Sequence, residues 1–143
     1  MNMGIKYKLN DIDKVVLSIR SLMAETDKSL LAFVGPIGAG KTTLIKKLVK
    51  SYGFDESEVS SPTFNYVNIY NTENRLVYHF DLYRLSNEGE FLEQGFQEYL
   101  YEDGSVAIIE WPEIISDLLR ERALLIEIDY IDEDSRQLVI KSQ

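Results

Sequence analysis

Residues 30 to 43 hold an apolar run, a glycine-rich loop and a helical start with no break between them. The loop, Gly35-Pro36-Ile37-Gly38-Ala39-Gly40-Lys41-Thr42, matches the phosphate-loop pattern G-x-x-x-x-G-K-[ST] at every fixed position. Its setting fits as well. Leu30-Leu31-Ala32-Phe33-Val34 reads as a buried parallel strand, and Leu44, Ile45, Leu48 and Val49 repeat at helical spacing behind the loop. The glycines let successive backbone N–H groups turn inward around an anion, and the helix that starts near Lys41 adds the positive end of its dipole. The expectation is a nucleotide binder built on an α/β sheet. In such loops the lysine ammonium reaches the β- and γ-phosphates and the next hydroxyl ligates Mg²⁺, which assigns Gly35, Gly38, Ala39, Gly40, Lys41, Thr42 and Thr43 to the nucleotide and Thr42 to the metal.

A chain of 143 residues suits a single domain, 1–143, with little room for the extra lid of a larger enzyme. It has no cysteine, so neither disulfides nor thiolate metal sites are available. Its amino end lacks the build of a secretory signal and its longest apolar runs are too short to span a membrane, so a cytoplasmic location is expected. The net charge of −9 is unevenly spread, about +2 over residues 1–85 and −11 over 86–143. The acidic half repels phosphate backbones, which argues against unaided nucleic-acid binding and suits either a solvated face or a basic protein partner.

Along the chain the pattern runs strand, helix, strand, loop, helix and then further strands, with no repeat or linker. A mixed, mostly parallel central sheet flanked by helices is expected. Ile5 to Leu9 alternates as a short strand, and Asn10 or Asp11 stands ready to cap a helix carrying Ile12, Val15, Val16, Ile19, Leu22 and Met23 on one stripe. Residues 66–70 and 76–80 suggest a hairpin around Asn71-Thr72-Glu73-Asn74. A helix over 87–101, a strand at 106–109, a helix from Pro112 to about Arg122 and two strands near 124–131 and 137–141 complete the expected order.

Hydrolysis needs carboxylates near Mg²⁺ and a group that places the attacking water. Asp81 ends the apolar run 76–80 and Glu110 ends 106–109, so both are expected at carboxyl ends of strands, where open α/β sheets bind their ligands. Either fits a Walker-B role, and either alone also fits a strand-end carboxylate that caps a turn. Ser61-Pro62-Thr63-Phe64 occupies the place of a γ-phosphate-sensing loop or of an ordinary Ser-Pro turn, with Thr63 the hydroxyl that would matter. His79, the one histidine, reads first as a packed strand residue and only second as a base. Arg84 suits an internal arginine finger or an ion pair, and Trp111 suits core burial, a nucleotide contact or a partner face.

Four segments in order, GPIGAGKTT at 35–43, SPTF at 61–64, HFDLYRL at 79–85 and EWPE at 110–113, together resemble the TsaE family of tRNA threonylcarbamoyladenosine biosynthesis ATPases. The resemblance spans nearly the whole chain. It implies an ATP-binding and hydrolysing protein of the bacterial cytoplasm that supports TsaB-like and TsaD-like partners. Those partners transfer a threonylcarbamoyl group to adenosine 37 of tRNA, which this chain would meet only through the complex. By the same resemblance Gly38 to Thr43 would hold the phosphates, Thr42 and Glu110 would serve Mg²⁺, and Asp81 would orient water or metal. Thr63 would sense the γ-phosphate and Trp111 would sit by the nucleotide or the partner. Pro36 departs from the family, which commonly has an acidic residue there. The chain has no Asn-Lys-x-Asp box for guanine, which favours ATP over GTP. A small-molecule kinase and a nucleotide-dependent interaction switch with negligible hydrolysis are the competing readings. Six arginines and a short acidic second half count against the kinase lid.

Overall fold

The computed structural model describes residues 2–36, 38–60, 62 and 65–142. Seven strands form one sheet: β1 (Asn2–Lys8), β2 (Leu30–Val34), β3 (Val67–Thr72), β4 (Arg75–Asp81), β5 (Ser105–Glu110), β6 (Ala123–Tyr130) and β7 (Ser135–Ser142), in the spatial order β1-β7-β6-β2-β5-β4-β3. The four central strands β6, β2, β5 and β4 are mutually parallel, while β7 and β1 on one side and β3 on the other join antiparallel. The sheet is thus mixed, with its parallel part in the middle. The sequence explains the division. Leu30 to Phe33 and Ala107 to Ile109 are buried on both faces, as continuous apolar runs in parallel strands require. Of the outer strands, β7 alternates between buried and more exposed positions, while β1 is mostly exposed, with only Tyr7 buried.

Helices α1 (Ile12–Thr26) and α2 (Lys41–Ser51) cover one face. Their stripes, Ile12, Val15, Val16, Ile19, Leu22 and Met23 on α1 and Leu44, Ile45, Leu48 and Val49 on α2, pack on Leu31, Phe33, Ile108, Leu124, Ile126, Leu138 and Ile140. On the other face α3 (Glu88–Glu93), α4 (Gln97–Leu100) and the segment that ends in α5 (Ser116–Leu119) gather Phe91, Phe96, Leu100, Ile115 and Leu119 over Tyr78, Phe80, Ala107 and Ile109. Phe80 is ringed by Phe91, Phe96 and Tyr99, with centroids 5.6 to 6.3 Å away.

Several boundaries differ from the sequence expectation. The first strand runs Asn2–Lys8, ahead of the expected 5–9, because it pairs along its whole length with β7. Asp11 stands at the N-cap of α1 and makes no side-chain capping bond. The hairpin is tighter than expected: β3 continues to Thr72, so only Glu73 and Asn74 turn the chain. The single helix expected over 87–101 is two short ones, because Gly95 adopts φ +77 and its N–H closes onto the Leu92 carbonyl at 3.0 Å. That is a left-handed helix stop. Beyond Trp111 a 3₁₀ turn over Pro112–Ile115 leads into α5, which ends at Leu119 rather than near Arg122, with Glu121 left-handed at φ 59.

Candidate functional site

The phosphate loop leaves β2 at Gly35. A Cβ built on this residue would lie 2.4 Å from the Ile128 carbonyl oxygen, and its φ is +155, so the close approach of β6 admits only glycine. The Ala39 N–H donates to the Pro36 carbonyl at 3.1 Å, and Gly40, left-handed at φ 100, is the N-cap of α2. The first bond of that helix is Leu44 N–H to the Gly40 carbonyl at 3.1 Å. The N–H groups of Lys41, Thr42 and Thr43 therefore precede the helical ladder, and no side chain caps them. Proline at 36 leaves this turn intact, since its carbonyl accepts and its missing N–H is not needed there.

Across from the loop stand the two strand-end carboxylates. Asp81 is directly opposite Glu110 in the parallel register of β4 and β5, and Glu110 is opposite Phe33 of β2. Side chains alternate across a strand, so Val77, His79 and Asp81 share the α2 face with Ile108 and Glu110. The two carboxylates and the start of α2 thus meet at one end of one face, around a cleft of about 400 Å³ lined by Gly38, Gly40, Lys41, Thr42, Thr43, Asp81, Glu110, Trp111 and Arg136. Burial pushes the Asp81 carboxyl above the usual carboxylate range; the Tyr83 N–H, which donates to Oδ1 at 3.1 Å, opposes this, and the Glu110 charge adds to it. Glu110 is almost fully buried, and its Oε2 is 2.8 Å from His79 Nε2.

Lys41 is buried to 8 % exposure, donates to the Gly35 carbonyl at 2.7 Å, and holds its ammonium 4.4 Å from the centre of the Trp111 ring. Trp111 reaches that position because its backbone is left-handed, φ 55 and ψ 56, directly after Glu110, a conformation that costs a bulky residue about 1–3 kcal/mol. The exposed Tyr83 ring also packs on Trp111, with centroids 4.9 Å apart at 53°.

Of the residues expected at the site, Gly38, Gly40, Lys41, Thr42, Thr43, Asp81, Glu110 and Trp111 line the cleft. Gly35 and Ala39 shape its loop from behind, Ala39 buried at 1 %. Thr63, with Ser61 and Phe64, lies outside the described residues. Arg84 is exposed and is not among the residues that line the cleft. Arg136 was not anticipated. Its guanidinium is buried under the loop, with Nε donating to the Ala39 carbonyl at 3.0 Å and Nη1 to the Asp132 and Ser135 carbonyls at 2.7 and 2.9 Å. A signal existed: Arg136 shares strand parity with the buried Leu138 and Ile140, so an arginine stands where β7 otherwise turns apolar residues inward.

The donor set suits a magnesium-bound polyphosphate. Mg²⁺ keeps several waters and takes one or two carboxylates plus phosphate oxygens, and Asp81, Glu110 and the Thr42 hydroxyl border the same cleft as the free N–H groups. Among the described residues there is no cluster of three or more His, Cys, Asp or Glu able to hold a metal without a ligand's help. No helix among them is long and apolar enough to cross a membrane.

Known proteins share this fold and much of this sequence. Residues 8–138 match the family model described as threonylcarbamoyl adenosine biosynthesis protein TsaE. The chain is 37% identical over 123 residues to the tRNA threonylcarbamoyladenosine biosynthesis protein TsaE of Haemophilus influenzae, covering 85% of this chain and 76% of that one. It is 36% identical to the Rickettsia felis protein of the same name over 120 residues, 82% of this chain and 69% of the other. The crystal structure of YdiB from Bacillus subtilis superposes with a TM-score of 0.67 at 26% identity, covering 99% of this chain and 87% of that one. With the family model matched over most of its length, and with a phosphate loop facing two strand-end carboxylates, this chain belongs to the TsaE family of threonylcarbamoyl adenosine biosynthesis proteins.

Proposed function

We propose that this chain binds ATP with Mg²⁺ in the cleft between the phosphate loop and the β4–β5 strand ends, and hydrolyses it slowly until protein partners complete the site. The observation that carries this reading is the convergence of Lys41, Thr42, Asp81 and Glu110 on one cleft. Bound magnesium would neutralise charge on the transferring phosphoryl group. The chain's own residues divide the remaining work. Loop and α2 N–H groups cradle the phosphates, the Lys41 ammonium exchanges its Gly35 carbonyl for phosphate oxygens, and the Thr42 hydroxyl and Glu110 carboxylate hold the cation. Asp81 orients water or metal, and Thr63 is assigned to the terminal phosphate by its place in the family pattern.

The case for partners is physical. Gly38, Thr42 and Thr43 are exposed, so the cleft has a floor and one wall but little to exclude bulk water, and phosphoryl transfer depends on positioning in a water-poor site. TsaB-like and TsaD-like proteins are the proposed partners. Turnover here would serve their transfer of threonylcarbamoyl to adenosine 37, with tRNA reached only through the complex, in the cytoplasm.

The test is ATP turnover with and without those partners, against Lys41→Ala and Glu110→Gln. The expected result is slow hydrolysis alone, clear stimulation in the complex, and a loss of about 100-fold or more in either variant. Brisk hydrolysis by the isolated chain, or unaltered turnover in both variants, would overturn the assignment. Binding has its own readout. Trp111 is the only tryptophan and packs on the Lys41 ammonium, so drawing Lys41 to a phosphate should change its fluorescence.

A further inference from the structure

We propose that His79 is a positioning residue for the reaction: its Nε2–H holds one oxygen of the Glu110 carboxylate, so that the other faces the cleft in a fixed orientation. This rests on the ATPase reading of the cleft given above.

The geometry is specific. His79 Nε2 and Glu110 Oε2 are 2.8 Å apart, with side chains only 1% and 6% exposed. Among the described residues, His79 is the one side chain that bonds the Glu110 carboxylate. Glu110 nevertheless lines the cleft, so a carboxylate that borders the cleft is anchored through one oxygen by His79. The register accounts for this. His79 is opposite Ile108 in β4–β5, one same-face step before the Asp81–Glu110 pair, so its ring leans along the sheet beneath the carboxylate.

The far side of the ring supplies an independent observation. Nδ1 is the one buried side-chain nitrogen or oxygen without a hydrogen-bond partner among the described residues. Nδ1 therefore makes no competing hydrogen bond, and the ring's contact with Glu110 runs through Nε2–H alone. A ring chosen only to fill space between Val77 and Ile108 would have no need of nitrogen. A ring chosen to hold a carboxylate tolerates one idle nitrogen. Residues that orient a metal-holding carboxylate in this way commonly account for about 10–100-fold in activity or metal affinity.

Two measurements decide the matter. In stimulated ATP turnover, His79→Ala should lower kcat about 10–100-fold with little change in KM for ATP. His79→Gln, whose amide N–H reaches about as far as Nε2, should recover most of the loss, whereas the shorter His79→Asn should not. Against a Glu110→Gln background, His79→Ala should cost almost nothing more, since it acts through that carboxylate. A full additional loss in the double variant, or a His79→Gln protein as impaired as His79→Ala, would overturn the role. The second measurement needs no turnover. His79 is the only histidine, so nitrogen NMR of the folded wild type should show one ring in the Nε2–H tautomer, altered by Glu110→Gln. An Nδ1–H tautomer, or a ring insensitive to that substitution, would overturn the contact itself. Absence of partner-stimulated hydrolysis in the wild type would instead overturn the ATPase reading.

Discussion

Gly35 and Asp81 show how single residues at this site set function against stability. At Gly35 a methyl group meets the Ile128 carbonyl oxygen at 2.4 Å, and neither backbone yields easily because Val34 and Glu127 are already paired in register beside it. Gly35→Ala should therefore destabilise the fold by about 2–4 kcal/mol, combining overpacking with an unfavourable φ. Urea unfolding would show it as a lower midpoint with unchanged slope. Asp81 carries the opposite signature. Burial raises its carboxyl above the ordinary value of 3.8, so the folded state binds its proton more tightly than the unfolded chain does. Its contribution favours folding below about pH 3.8 and is lost as the pH rises through the raised value. At neutral pH the charged side chain is a liability kept for the cleft. Asp81→Asn preserves the oxygen that accepts the Tyr83 N–H and should stabilise the protein slightly at pH 7, the gain being limited by the solvent the group still meets. Turnover should fall steeply in the same variant. A thermal melt beside an ATPase assay checks both signs, and a lower melting temperature for Asp81→Asn would contradict the argument.

At the scale of elements, the segment 87–101 separates stability that is written locally from stability that is written in space. Gly95 is left-handed at φ +77 with nothing within 4 Å of a built Cβ, so Gly95→Ala pays only the conformational cost, about 1 kcal/mol. That is well below the penalty at Gly35, and comparing the two midpoints tests whether steric contact makes the difference. Asn87 caps α3 by accepting the Glu90 N–H at 3.0 Å, and its loss should cost a similar amount. Elements of this kind were readable where composition and period agreed: the stripes of α1 and α2, and the apolar strands β2 and β5. The two-helix break was not read, although Gly95 was visible, because a glycine inside a helical pattern is tolerated as often as it stops one. The phosphate loop was legible because its chemistry lies within eight consecutive residues, and Asp81 and Glu110 because each ends an apolar run. The His79–Glu110 contact and the reach of Arg136 to Ala39, 97 residues away, were not, since they depend on strand order. No local period states that β5 lies between β2 and β4, or that β7 folds back beside β6.

Across the whole molecule, charge is distributed in a way that bears on whether the chain can bind a polyanion such as tRNA by itself. The acidic excess falls in residues 86–143, which supply α3, α4, α5, β6 and the β6–β7 turn with Asp132, Glu133 and Asp134. Several of the basic groups are already committed. Lys41 and Arg136 bond loop carbonyls, Lys47 and Lys50 share Glu56, Lys141 pairs with Glu127 and Arg120 with Asp117. Tight binding to a phosphate backbone draws on counterion release by several clustered cations, and a net charge of −9 opposes the approach of a polyanion at long range. The isolated chain should thus bind tRNA no more tightly than the weak non-specific level of about 10⁻⁴ M at physiological salt. Any stronger association should require the partner proteins and should vanish with them. Fluorescence anisotropy of labelled tRNA, titrated with the chain alone and then with the assembled complex, makes the comparison. Submicromolar binding by the chain alone would mean that a local basic surface outweighs the global field, and the indirect route to tRNA would then have to be abandoned.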